Sequence, residues 1–456
     1  MRTDAERLGA RPSVETFRFV LALCGVGAGA AAFAIAFRAA MAFLIARLYG
    51  SQDLLSAFRG LSPAQRLLFP IAGGVLAGLF ATLARRFGSG AGVGDVMEAV
   101  VIGHRRISLR GTLTKALGAF CAIAGGGSVG REGPIIQMGG SLGGTLGRLL
   151  DVRDERMRTL VAAGTAAGFA AAYNTPFAAI LFVMEVVTGV VALDALLPTV
   201  VVTVFATMLT RLAIGSGPIY GQRVFAVESS AELLGYLVLG LLAGVLAHLF
   251  LELLSRGERL AEKTRLPAWA RAGAGGALVG LIALGLPEVV GNGYETVNVI
   301  LAGGIPLAVL GFIFLGKAVA TTASVSSGAP GGVFTPTLLL GACLGSAFGH
   351  AVVALNPQAG PPEAYALVGM AAFCGATTHA PLMAAVLVFE LSGDYAIVLP
   401  LLLATGVSTL VSRHLREDSI YEAELRRRGY AWEVTLTGRH LTAVPEAEAP
   451  RPASAS

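Results

Sequence analysis

Long apolar runs without a single Asp, Glu, Lys or Arg recur along this chain and limit what it can fold into. Residues 19–36, 160–184, 195–210, 233–251 and 395–412 are such runs, each close to the ~20 residues a helix needs to cross about 30 Å of hydrocarbon. The runs do not stand in a soluble background. Only 14% of the 456 residues are charged, where a soluble domain carries about 25%, so the chain cannot clothe a water-facing surface. Sixty glycines suit helices that pack closely in lipid, where small residues let backbones approach. The expected fold is an all-α, polytopic membrane protein with many tilted and broken helices, embedded in a lipid bilayer.

The net charge of +5 does not indicate nucleic acid. The arginines sit in connectors, at His104-Arg105-Arg106, within 153–158 and 256–265, and at Arg426-Arg427-Arg428, the pattern of cytoplasmic loops in a multi-pass protein. The polar segment 1–16, with Arg2, Arg7 and Arg11, reads as cytoplasmic and has no cleavable signal peptide. Cys24, Cys121, Cys343 and Cys374 lie in separate apolar segments, without the spacing of a metal site or a disulfide framework. There is no HExxH, no GxSxG and no paired aspartates in one apolar span, so the chain does not read as an enzyme.

The chain repeats itself. Lys115 precedes Gly130 by 15 residues and Lys317 precedes Gly332 by 15; Pro134, Gly139, Leu142 and Gly143 recur as Pro336, Gly341, Leu344 and Gly345 at an offset of 202. Gly90 and Gly92 recur as Gly291 and Gly293 at 201, and Gly164, Pro176 and Glu185 as Gly369, Pro381 and Glu390 at 205. Four ordered blocks at nearly one offset divide the chain into a cytoplasmic segment 1–16, a first half 17–220, a second half 221–428 and a tail 429–456. The tail is rich in Pro, Ala and Glu and is expected to be disordered, with no regulatory domain. Transporter halves of this kind are often inverted, with the site at their interface, built from broken helices whose N-termini face an anion.

One stretch in each half fits that description. Gly130-Arg131-Glu132-Gly133-Pro134 follows a glycine run and places a carboxylate and a guanidinium among apolar residues. Charges at membrane depth are costly and mark pathways. Pro134 fits a first helical turn, so a loop feeds a helix N-terminus whose amides and positive dipole end suit an anion. The counterpart, Gly332-Val333-Phe334-Thr335-Pro336, carries no charge. Two donor loops but one carboxylate suggest that Glu132 does more than hold the fold. Glu185 and Glu390 read as structural acceptors of helix N–H or hydroxyl bonds, with water access as the other role for Glu185; Lys115 and Lys317 read either as contributors to a positive pore or as snorkelling side chains.

These residues resemble the CLC chloride channel and chloride–proton antiporter family. Residues 130–134 match its GREGP motif, residues 332–336 look like its GxFxP motif, and Tyr421 in Ser419-Ile420-Tyr421-Glu422 matches the tyrosine after the last membrane helix. The resemblance covers roughly residues 70–428. It implies a CLC-type inverted repeat, a homodimer with one anion pathway per subunit, no organic cofactor, chloride or a similar small anion as substrate, voltage gating, and a place in the bacterial inner (plasma) membrane. Carried across, Glu132 is the gate and outer proton carrier. Backbone amides of Gly130, Arg131, Glu132, Gly332, Val333 and Phe334 line the anion sites together with the Tyr421 hydroxyl. Two positions depart from the family. Its first loop reads GSGIP, but here Ala91 falls on the serine and Gly94 on the proline, which puts chloride-over-nitrate selectivity in doubt. The inner proton-relay position is Val186, which cannot titrate.

The resulting expectation is a chloride channel gated by Glu132. Its carboxylate and a halide carry the same charge and compete for the same amides, so protonation or a rise in anion concentration releases the plug. The alternative is a proton-coupled chloride antiporter of the same family, which requires a different inner proton route.

Overall fold

The computed structural model describes residues 14–88, 92–101, 103, 107–190, 193–221, 225, 232–435 and 438–443. Ala91 and the basic residues 104–106 lie outside the described residues. In the first half, helices α1 (Val14–Tyr49), α2 (Leu54–Gly60), α3 (Pro63–Arg86), α4 (Val93–Val101) and α5 (Leu109–Ala124) precede the central α6 (Glu132–Leu149) and α7 (Asp154–Tyr173); α8 (Pro176–Phe182), which runs into a π-turn over Val183–Thr188, and α9 (Leu193–Ile214) follow. The second half runs through α10 (Glu232–Lys263), α11 (Ala268–Gly285), α12 (Tyr294–Leu301), α13 (Leu307–Ser326), α14 (Phe334–Leu355), α15 (Pro362–Thr378), α16 (Pro381–Ser392), α17 (Val398–Leu415) and the short α18 (Ile420–Arg427).

Among the described residues, eight helical segments are long and apolar enough to cross a bilayer. The long α1 shows how such a helix meets its two surroundings. Ala22, Val26, Ala30, Ala34, Phe37, Met41 and Ile45 recur every three or four residues on its buried face, while Phe43 on the other face is 71% exposed. Large apolar side chains stay exposed on α9, α13 and α17 as well, at Leu212, Phe312 and Leu410. In water such patches would demand a partner; in a bilayer they face acyl chains. This is a multi-pass integral membrane protein.

The centre is made of small residues. From Leu160 to Tyr173 every residue of α7 is buried, and so is α15 from Ala364 to Thr378. Each crosses a broken helix at paired glycines. Gly139 of α6 meets the backbone of Gly164 in α7, and Gly341 of α14 meets Gly369 in α15 so closely that a Cβ on Gly341 would stand 2.7 Å from Met370 Cα. The sequence repeat is therefore a repeat of packing: the same glycine contact, 202 and 205 residues on. The carboxyl ends of α7 and α15 repeat too, capped by Asn174 and His379 in the left-handed conformation with φ of 59° and 56°.

Glu185 and Glu390 tie the halves together by symmetry. Glu185 accepts the amides of Leu382 (3.3 Å) and Met383 (2.7 Å) at the start of α16, and Glu390 accepts those of Phe177 (3.1 Å) and Ala178 (2.8 Å) at the start of α8. Each carboxylate satisfies orphan donors at a helix start that belongs to the opposite half. The structural role expected of both is what the geometry provides.

The tail differs from expectation. In place of disorder from residue 429 onward, strands β1 (Tyr430–Thr435) and β2 (Gly438–Ala443) pair antiparallel, with Trp432 opposite Leu441. Tyr430, Trp432 and Val434 alternate with Ala431, Glu433 and Thr435, and large apolar residues at every second position favour a strand. The Pro, Ala and Glu content that suggested disorder belongs to residues 444–456, which lie outside the described residues.

Candidate anion pathway

The two glycine-rich loops meet at the middle of the molecule. The first joins α5 to α6 and turns at Gly126 (φ 91°); the second joins α13 to α14 and turns at Gly328 (φ 89°). They then pair: the Gly130 amide donates to the Gly332 carbonyl at 2.6 Å, and the Gly332 amide donates back to Gly130 at 2.8 Å. Ser128 adds two ties, its amide donating to Ser324 Oγ (3.1 Å) and its hydroxyl sharing a bond with Thr321 (3.0 Å). Lys317, fully buried, donates to the carbonyls of Val289 (3.0 Å) and Gly291 (2.8 Å). Of the two lysines read as pore charges, Lys317 is a tether beneath the loops, whereas Lys115 lines the pathway.

This pairing revises the expected donor set. The amides of Gly130 and Gly332 are used by each other, so they hold the loops together and are not free for an anion. The helices start one and two residues later, with Arg131 capping α6 ahead of Glu132 and Val333 capping α14 ahead of Phe334. Those first-turn amides have no intrahelical acceptor and remain the available donors.

Glu132 is 2% exposed. Its side chain folds back across the paired loops, so that a Cβ on Gly130 would overlap Oε2 and one on Gly332 would lie 3.8 Å from it. The hydroxyls of Thr335 and Tyr173, 2.9 Å apart, interact with the carboxylate from α14 and α7. Oε2 has no hydrogen-bond partner among the described residues, so the carboxylate is held in place but incompletely satisfied. Sequence reasoning missed Tyr173 and Thr335. Thr335 lay within the second motif and could have been found there; Tyr173, at the end of an alanine-rich helix, carried no signal.

Two cavities lie beside the paired loops. The larger, about 610 Å³, is lined by Glu132, Val333, Phe334 and Tyr421. Six basic side chains (Arg85, Lys115, Arg271, Arg416, Arg427 and Arg428) and three acidic ones (Glu132, Glu258 and Glu424) also face it. The excess of positive charge over a concave surface concentrates anions. The smaller cavity, about 50 Å³, is lined by Arg131 together with Asn292, Tyr294 and Glu295. Arg131 and Glu132, adjacent in sequence, thus line different cavities, and Arg131 does not line the larger one. Tyr421 enters that cavity from α18, its ring edge-on to Phe182 at 6.1 Å. A capping box fixes the start of α18: Ser419 Oγ accepts the Glu422 amide and the Glu422 carboxylate accepts the Ser419 amide. His379 Nδ1 lies 3.6 Å from the same carboxylate.

A family description, "Voltage gated chloride channel", matches residues 73–413, which include both paired loops and Glu132. The chain belongs to the voltage-gated chloride channel (CLC) family. It is 41% identical over 415 residues to a putative chloride channel protein ClcB-like of Ralstonia nicotianae, covering 90% of this chain and 97% of that one. It is 35% identical over 400 residues to the Escherichia coli voltage-gated ClC-type chloride channel ClcB, covering 86% and 95%. Among solved structures, a slow cyanobacterial Cl−/H+ antiporter superposes with a TM-score of 0.80 at 27% identity, over 90% of this chain and 98% of that one. A CLC-type fluoride/proton antiporter shares the fold, with a TM-score of 0.74 at 24% identity, over 92% and 98%.

As a CLC protein the chain is an anion transporter in the broad sense, and two of its positions gain a location. Val186 lies buried in the π-turn after α8, one residue beyond the Glu185 clamp. Gly94, which the sequence reading sets on the family's proline, is the second residue of α4 and packs directly against Glu424 and Arg428.

Proposed function

We propose that this protein is a chloride channel in which Glu132 is the gate. The observation that carries the reading is the position of the Glu132 carboxylate, folded over the Gly130–Gly332 pairing between two cavities. A chloride ion held by the first-turn amides of α6 and α14, with the Tyr421 hydroxyl below, competes with that carboxylate for positive potential. Protonation of Glu132 from the Arg131 side removes the competing charge. The arginine-rich side, which holds the large cavity, is the cytoplasmic one by the positive-inside rule, in a bacterial plasma membrane. The protein works as a homodimer with one pathway per subunit, and it needs no cofactor. Two features support a channel: the apolar Val186 at the inner proton-relay position and the channel names of the two ClcB relatives.

The likeness to the cyanobacterial antiporter favours a second reading, proton-coupled chloride exchange. Liposomes reconstituted with the protein, with chloride efflux and internal pH recorded together, separate the two. The channel reading expects chloride flux without uphill proton movement, and Glu132→Gln flux that ignores external pH. Proton uptake driven by a chloride gradient would overturn it in favour of exchange. The same vesicles with nitrate and fluoride test whether Ala91, in place of serine, relaxes discrimination.

A further inference from the structure

The large cavity has a second carboxylate, and the proposed transport reading gives it no task. Glu424 follows Tyr421 by three residues, so both project from one face of α18, and both line the cavity that ends at Glu132. The Tyr421 phenol lies within electrostatic reach of Glu132 and Glu424 alike. Glu424 reaches the wall because residue 94 is glycine: a Cβ there would stand 2.8 Å from Glu424 Oε1 and 3.3 Å from Arg428 Nη2. A proline at 94 would occupy that space.

The charges around Glu424 come from four elements. From the end of its own helix, Arg428 Nη2 donates to Glu424 at 2.6 Å, and Arg427 pairs with Glu258 of α10. From α4, Asp95 and Glu98 accept from the other Arg428 nitrogen at 2.8 and 3.1 Å. From α5, Lys115 lines the same cavity, its Nζ 3.6 Å from where a Cβ on Gly92 would stand. Three carboxylates thus share one guanidinium. With Glu424 ionised, Asp95, Glu98 and Glu424 outnumber Arg428 and Lys115 by one charge, and an entering anion is repelled. With Glu424 neutral, the two cations and the two remaining carboxylates balance and that repulsion is gone.

We infer that Glu424 controls anion entry from the cavity side, by adding the one uncompensated negative charge to the cluster it forms with Asp95, Glu98, Lys115 and Arg428. It is an inner acid-sensitive control, separate from Glu132, and Gly94 makes room for it. This rests on the anion-transport reading of the same cavity.

The test is chloride efflux from liposomes holding Glu424→Gln or the wild-type protein, with orientation-selective block, titrating chloride and pH on the cavity side. A unit charge about 8 Å away at an effective dielectric near 20 changes anion affinity by roughly ten-fold or more. Glu424→Gln is therefore expected to lower the half-saturating chloride concentration on that side by roughly ten-fold and to flatten its pH dependence there, while external pH sensitivity stays. Gly94→Ala, which pushes on the carboxylate without removing it, should give a smaller shift in the same direction. Should Glu424→Gln fold poorly, calorimetric chloride titration of Gly94→Ala in detergent takes its place. Unchanged half-saturation and pH dependence on the cavity side in Glu424→Gln, with normal flux, would overturn the inference. Absence of chloride flux in the wild-type protein would instead overturn the transport reading.

Discussion

Removing either reciprocal carboxylate should destabilise the protein by a comparable amount, because Glu185 and Glu390 do the same work on opposite halves. Each accepts two amides at a helix start, Leu382 and Met383 for Glu185, Phe177 and Ala178 for Glu390, with the shorter bond of each pair at 2.7–2.8 Å. Hydrogen bonds to a charged acceptor contribute about 1.5–3 kcal/mol each when well buried. Phe177 and Leu382 are 66% and 50% exposed, so the longer, outer bond of each pair counts for less. Alanine at 185 or 390 should then cost about 2–4 kcal/mol, and glutamine, which keeps one acceptor oxygen but loses the charge opposite the helix dipole, about half that. Thermal melts of detergent-purified variants, followed by the loss of the monodisperse chromatographic peak, give the ranking: wild type above both glutamine variants, and these above both alanine variants. If Glu185→Ala melts well below wild type while Glu390→Ala melts with it, the two clamps are not equivalent and the symmetric account fails. If glutamine and alanine are indistinguishable at both positions, acceptance of two amides is not what these carboxylates contribute.

Two further predictions use the same melts and a binding measurement. Gly341→Val should be strongly destabilising because its Cβ would sit 2.7 Å from Met370 Cα, whereas Gly311→Ala and Gly406→Ala, with no atom within 4 Å of the added methyl, should melt at or above the wild-type temperature. Ser419→Ala removes the capping box at the start of α18, worth about 1 kcal/mol; because that helix carries Tyr421, calorimetric titration should show chloride binding weakened a few-fold.

The bilayer-spanning character, the packing repeat at matched glycines and the buried carboxylate at residue 132 were legible in the letters because each rests on short-range chemistry: charge-free runs, glycines at fixed offsets, and a carboxylate beside a helix start. What escaped the sequence was long-range pairing. Nothing in Gly130 or Gly332 announces that each will use the other's amide, so both were counted as anion donors. Arg131 adjoins Glu132 in sequence, yet the turn sends the two side chains toward different cavities. Lys115 and Lys317 occupy equivalent positions in the repeat, and only the packing of the loop at 289–291 makes one of them a tether. The strands at 430–443 were hidden by averaging composition over the whole tail. Tyr173 and Glu424 reach the pathway from helices distant in sequence, where periodicity speaks of burial and is silent about what a side chain faces.

The pairing of Gly130 with Gly332 leaves the proposed gate a narrow way to open. The loop backbones are tied by two short hydrogen bonds, the Ser128 contacts and the Lys317 tether, so the part free to move is the Glu132 side chain. Gly130→Ala tests this directly. Gly130 does not have a left-handed backbone, so alanine fits its conformation, and the added methyl meets the far end of a flexible side chain, Glu132 Oε2, before it meets the Gly332 carbonyl at 3.2 Å. The strain of overpacking, typically about 1–3 kcal/mol, then falls on the seated position of Glu132 and spares the open one. That bias alone changes the ratio of seated to unseated carboxylate by roughly 5- to 150-fold. Gly130→Ala should pass chloride at neutral external pH almost as freely as Glu132→Gln does, although its carboxylate is intact. If it keeps the wild-type dependence on external pH while folding normally, Glu132 does not block from the seat over Gly130, and the gate must be sought in movement of the loops.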